Sequence, residues 1–361
     1  MKIDPRRIPL MGAAAISLAA ATWGGLVRLD WDLPLPPANW ISYHGPLMVS
    51  GFLGTLIALE RAVGLERRWA YAVPLLTALG AILLMAGPPD RHGALLITLG
   101  SAGLVAVFAV VLKAQPTLFH LTMGIGAACW LMGNLIWMSG RPISDLVFWW
   151  AGFLVLTIAG ERLELTRLLR PSRSVQAAFA LSVGLFLAGA CWTLGSGAVG
   201  QRLAGVGLLA MALWLFGYDI ARRTVSRAGL TRFVAVCLLC GYAWLGIAGG
   251  LALALAPVSY GPSYDAVLHA IFLGFVMSMI FGHAPIVFPA VLKVDLPYRP
   301  IFYAHLALLH GSLALRVTGD LGNWNSMRAW GGMLNAAAVA LFLLNSALSA
   351  IWRRPVPTPI S

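Results

Sequence analysis

Charged side chains are scarce. Only 11% of the 361 residues are Asp, Glu, Lys or Arg, against roughly 25% in a soluble globular domain. So few charges cannot cover a water-facing surface. They suit a chain that faces lipid, where backbone polar groups must be paired within the protein and helices are the natural solution. Acidic residues are rarer still: 13 against 25 Lys and Arg, for a net charge of +12. That excess would suit nucleic acid if it formed one stripe or tail. It falls instead in short clusters between apolar runs, which is the topological pattern of membrane proteins and excludes a nucleic-acid partner. Long polar stretches are absent too, so a separate soluble domain is excluded and residues 1–361 read as one membrane domain. The four cysteines, Cys129, Cys191, Cys237 and Cys240, all lie inside apolar runs and define no disulfide framework.

What is abundant is apolar sequence, 60% of the chain. A spanning helix needs roughly 20 mostly apolar residues. Twelve candidate spans follow: 8–29, 42–61, 69–87, 93–112, 117–138, 144–161, 175–194, 200–219, 231–256, 264–291, 299–318 and 328–351. Turn residues punctuate them, among them Pro34-Leu35-Pro36-Pro37, Gly87-Pro88-Pro89-Asp90 and Arg141-Pro142. The N-terminus has the basic start of a signal peptide, but its apolar run reaches Val27, longer than such a segment, and reads as a retained first helix. If the spans alternate in direction, nineteen of the 25 Lys and Arg fall on the side that holds both termini. Six fall on the other: Arg28, Arg91, Arg141, Arg202, Arg316 and Arg328. Positive-inside places both termini in the cytoplasm of a cell whose inner membrane carries the chain. Trp31, Trp40, Trp324 and Trp330 sit near the far boundary, as an aromatic belt would.

Ionisable side chains inside a span are costly and mark functional candidates. Of the seven histidines, His92 falls in a short loop and reads as solvated. His44 opens the second span and His269 lies near the start of the tenth. Both spans run in the same direction, and at about 1.5 Å per residue both imidazoles lie within roughly 10 Å of the far boundary. Two neutral imidazoles at equal depth on facing helices can clamp a haem iron; two unrelated interfacial histidines, each bonded to backbone or water, are the plainer alternative. Gly51 and Gly274 on the same helices would let a macrocycle approach the backbone, and Arg28 or Arg316 would meet its propionates. A second group lies nearer the termini's side. His283, His305 and His120 have similar expected depths, with His310 closer to the centre; converging, they would suit copper or a second haem. Otherwise they are helix-end or polar-gap residues. Cys237-Leu-Leu-Cys240 spans one turn and reads as apolar packing, with copper(I) the alternative. Glu60-Arg61, Glu66-Arg67-Arg68, Glu161-Arg162 and Glu164 read as interfacial ion pairs and topology charges.

The segment His44-Gly-Pro-Leu-Met-Val-Ser-Gly51-Phe52 resembles the NnrS-family helix that reads His-x-His-Glu-Met-x-x-Gly-Phe. His269-Ala270-Ile-Phe-Leu-Gly274, followed by Met277, Gly282 and His283, is similar to that family's later helix, which runs from His-Ala to a Gly-His pair. The likeness covers about three helices. Two features depart from it: Pro46 stands where the family's second histidine would be and Leu47 where its acidic residue would be, and Gly282-His283 continues as Ala-Pro rather than Thr-Gly. The resemblance implies a polytopic inner-membrane protein, distantly like haem-copper oxidase large subunits. It implies b-type haem and copper as cofactors, and a role linked to nitric oxide or another small gas ligand, to denitrification, or to electron transfer from a donor. Twelve spans with both termini on one side also fit a secondary transporter of the major facilitator type, although Glu60-Arg61 with Gly64 and Arg67-Arg68 has the wrong spacing for that superfamily's loop motif.

Overall fold

The computed structural model describes residues 7–87 and 90–351; Pro88 and Pro89 of the second turn, and the basic residues of both ends beyond Arg7 and Ile351, lie outside them. Among the described residues the regular structure is helical throughout. Eleven helices are long and apolar enough to cross a bilayer: α1 Ile8–Val27, α2 His44–Leu65, α3 Arg68–Ala86, α4 Arg91–Ala114, α5 Leu118–Met138, α6 Ile143–Leu169, α7 Arg173–Trp192, α8 Gly197–Tyr218, α9 Gly229–Leu255, α10 Gly261–Leu292 and α12 Asn325–Ile351. The twelfth expected span is present as α11, Phe302–Gly322. It has the length of a span, but His305, His310, Arg316 and Asp320 lower its apolarity, so eleven and not twelve helices qualify on composition alone. This is the architecture of a polytopic membrane protein.

Cross-links between helix ends obey the alternating order. At the basic end, the Arg7 guanidinium before α1 donates to the Val291 carbonyl at the end of α10 (2.6 Å). There too Arg61 of α2 pairs with Glu161 of α6, and Arg162 of α6 with Asp219 after α8. At the far end, Asp265 of α10 meets Arg316 of α11 and Arg328 of α12. Trp31 donates to the Ala329 carbonyl and packs edge-on against Trp330, with ring centroids 5.0 Å apart. Each link joins helix ends that an up-and-down chain puts on the same side.

Between these ends the helices pack through small residues, as expected where lipid supplies no hydrophobic drive between helices. Gly189 and Gly207 bring α7 against α8, Gly205 and Gly249 bring α8 against α9, and Gly80 and Gly93 bring α3 against α4. In each case a Cβ would collide with the neighbouring helix. Large side chains such as Leu181, Leu213 and Leu344 point outward, where they meet acyl chains. α6 is buried on nearly all faces and forms the central post of the bundle.

Arg68–Tyr71 at the start of α3 and Arg167–Leu169 at the end of α6 tighten to 3-10 turns, and two stretches inside helices are wider than α geometry. Leu47–Gly54 in α2 and Ala270–Met277 in α10 are π-helical. Such wide turns are rare and concentrate at functional sites. Here each follows within three residues of one of the two histidines singled out by depth.

Candidate cofactor cavity

α2 and α10 place His44 and His269 on the wall of one cavity of about 560 Å³ at the far end of the bundle. That is within the roughly 300–1,000 Å³ of ligand and cofactor clefts. Both imidazoles are held in the same way. Nδ1 of His44 lies 2.7 Å from the Ala21 carbonyl of α1, and Nδ1 of His269 lies 2.7 Å from the Asp265 carbonyl one turn earlier. A carbonyl only accepts, so Nδ1 carries the proton in both rings and Nε2 keeps its lone pair. Among the described residues nothing bonds either Nε2. Metal-ligating histidines are oriented in this manner, the second nitrogen fixing tautomer and ring direction.

Gly25 of α1 makes room for the first of these rings. A Cβ there would sit 2.8 Å from Cε1 and 2.9 Å from Nδ1 of His44, so only glycine lets α1 lie against the imidazole. The rest of the wall is largely apolar, with Met48, Phe52, Val147, Leu268, Phe272 and Met277 among its residues. The mouth is charged. Arg28, Asp265, Arg316 and Arg328 line it. Asp265 accepts from Arg328 (3.4 Å) and faces Arg316 (3.9 Å), while Arg328 also donates to Asp320 (2.6 Å). Three cations against two carboxylates leave one positive charge over, and Arg28 is in none of these pairs.

The two glycines expected at the ring faces are elsewhere. Gly51 packs against Ser17 and Ala81, and Gly274 against the Trp244 ring; both serve helix packing and neither lines the cavity. The inner histidines are not gathered into a cluster. His305 is buried beside Phe233, Phe281, Phe302 and Phe342 and meets Asn345 at 3.2 Å. His310 accepts from the Trp244 indole at 3.0 Å and lies 3.4 Å from the Ser278 hydroxyl. His120 bonds the Gln115 carbonyl beside α5. His283 bonds the Met279 carbonyl and faces a separate cavity with Glu60 and Glu161. Among the described residues no three His, Cys, Asp or Glu side chains are placed to share a metal ion. Cys237 is buried against Gly282 and Cys240 is half-buried, as packing residues would be.

Sequence reasoning missed Asp265, Arg328 and Gly25. An aspartate one turn before a histidine in an apolar span was the available signal for Asp265, because both residues then share a helix face.

Fold and site thus define a polytopic helical membrane protein with a two-histidine cavity opening at one end. The chain belongs to the family described as a domain of unknown function, DUF8744, whose model matches residues 7–351. No curated protein matches it.

Proposed function

We propose that this chain is a haem-binding integral membrane protein of NnrS type, with b-type haem held between His44 and His269. The observation that carries the reading is the pair of anchored imidazoles on one cavity wall, each with a free Nε2. The residues fit the group. Two neutral nitrogen donors suit low-spin haem iron, the apolar wall suits the macrocycle, and the surplus positive charge at the mouth suits propionates, with Arg28 and Arg316 as their partners. When bound, such a haem supplies one-electron redox chemistry. The protein's part is to fix both ligands through backbone carbonyls, to exclude water with Phe52, Phe272 and Met277, and to hold the carboxylates at the boundary.

If His44 and His269 both hold the iron, electron transfer is the simplest role. Release of one imidazole would admit nitric oxide or another small gas, which links the reading to denitrification physiology. The positive-inside distribution supports a bacterial inner membrane with both termini cytoplasmic. Protein purified from cells supplied with a haem precursor should be red, with a Soret band and stoichiometric iron. Colourless, iron-free protein would overturn the reading and leave a twelve-helix transporter as the better account.

A further inference from the structure

Directly along α2 and α10 from the histidine cavity lies a second, smaller one, of about 110 Å³, at the basic end. Leu53 lines both, and the neighbouring Val276 and Met277 of α10 each line one. Its wall carries Glu60 of α2, Glu161 of α6 and His283 of α10, in an otherwise mostly apolar lining that includes Met11 of α1. Arg61 pairs closely with Glu161 and lies 3.5 Å from Glu60. One guanidinium therefore faces two carboxylates. The three groups together carry one negative charge, and Glu60, the more loosely held carboxylate, stands on the wall of a mostly apolar cavity, where a second unneutralised carboxylate is costly.

The imidazole completes the arrangement. Nδ1 of His283 lies 2.8 Å from the Met279 carbonyl, so Nδ1 carries the proton and Nε2 is a free acceptor on the cavity wall. No described residue bonds it. A metal cation would need more oxygen than this wall offers, since hard cations take about six ligands, and the described side chains form no three-ligand group. A proton needs one carboxylate and one acceptor, both of which are here.

We propose that the cavity between α2, α6 and α10 is a proton-binding site, in which Glu60 holds one exchangeable proton and Nε2 of His283 is its acceptor across the cavity. The Arg61–Glu161 pair is the fixed charge beside it. Further charges bearing on the site are Glu164 at the end of α6 and the Arg162–Asp219 pair between α6 and α8; α1 lines the cavity with Met11, and Arg7 before it bonds the Val291 carbonyl. The transfer conserves the one proton: the O–H bond at Glu60 breaks and an N–H bond at His283 Nε2 forms, leaving a carboxylate and an imidazolium; the reverse step returns the proton to Glu60, and exchange with bulk passes through water at the basic end. Glu60 is five residues from the end of α2, about 7–8 Å of helix, so that water is near. This site does not depend on what the histidine cavity binds.

Infrared difference spectra recorded against pH on the purified full chain test it. The wild type should show a protonated-carboxyl band that shifts in deuterium oxide and titrates with a single midpoint. Glu60→Gln should abolish the band, and Glu66→Gln, on the exposed turn after α2, should leave it. His283→Gln should displace the midpoint without removing the band. Should Glu60→Gln fail to fold, the wild type still decides, by comparing sodium with potassium or choline at fixed ionic strength. An unchanged midpoint supports a proton site, and a sodium-specific displacement overturns it in favour of a cation site. A wild type with no titrating carboxyl band, or a band that survives in folded Glu60→Gln, would also overturn it.

Discussion

The pair formed by Arg162 and Asp219 gives the sharpest test of how the basic end is assembled. Asp219 receives Nε of Arg162 at 2.8 Å and Nη2 at 3.0 Å, with side-chain exposures of 3% and 0%. Its Oδ1 also accepts from the Ala221 backbone N–H at 2.6 Å. Asp219→Ala therefore strands a buried guanidinium and a backbone donor together. Breaking a buried pair from one side costs roughly 3–5 kcal/mol, or between about two and three and a half powers of ten in the equilibrium it governs. Removing both charges is far less damaging, because the desolvation cost disappears with them. A thermal melt in detergent, followed by thiol-reactive dye or by light scattering, should rank the proteins. Asp219→Ala should melt many degrees below wild type, and Arg162→Met/Asp219→Leu should recover most of the loss. Coincidence of Asp219→Ala with wild type, or a double variant as unstable as the single, would refute the reasoning.

Two other outcomes follow from the same geometry. Gly25→Val would drive a side chain into the His44 ring, displacing it from the Ala21 carbonyl or forcing it off its rotamer at a cost of about 0.5–1.5 kcal/mol; on the proposed haem reading the absorption spectrum of the purified protein should change, while Gly12→Val, which meets open space on the same helix, should leave it as in wild type. Reporter fusions after residues 35 and 225 should lie on opposite sides of the membrane, since α1 and α8 end at opposite faces of the bundle, and a common location would break the alternating order.

Most of the fold was legible because its signal is long and cumulative. Twenty apolar residues declare a span whatever their neighbours do, and Pro34, Pro142 and Pro297 stand where the chain turns. α11 was legible as a helix, and the residues that lower its apolarity stand in the sequence; what accommodates them was not, since Arg316 is met by Asp265 of another helix. The histidine pair was legible from depth, which follows from counting residues along two parallel helices. Its setting was not. Whether a backbone N–H reaches back four or five residues leaves no mark in apolar periodicity, so the π turns after His44 and His269 were hidden, as were the packing partners that Gly51 and Gly274 meet away from the cavity. The inner histidines were misleading for a related reason. Depth put His283, His305 and His120 at one level, but their angular positions depend on packing, and each has its own partner. Glu60 and Glu161 read correctly as members of an ion-pair group; the cavity beside them is a property of three helices together.

The measurement closest to the central claim is the electron paramagnetic resonance and visible spectrum of purified protein alongside His44→Ala and His269→Ala. Bis-imidazole ligation predicts a low-spin haem signal in the wild type, converted to high-spin or lost in each variant, with His305→Ala unchanged because that ring lies apart from the cavity. A wild-type low-spin spectrum retained by both His44→Ala and His269→Ala would contradict the account.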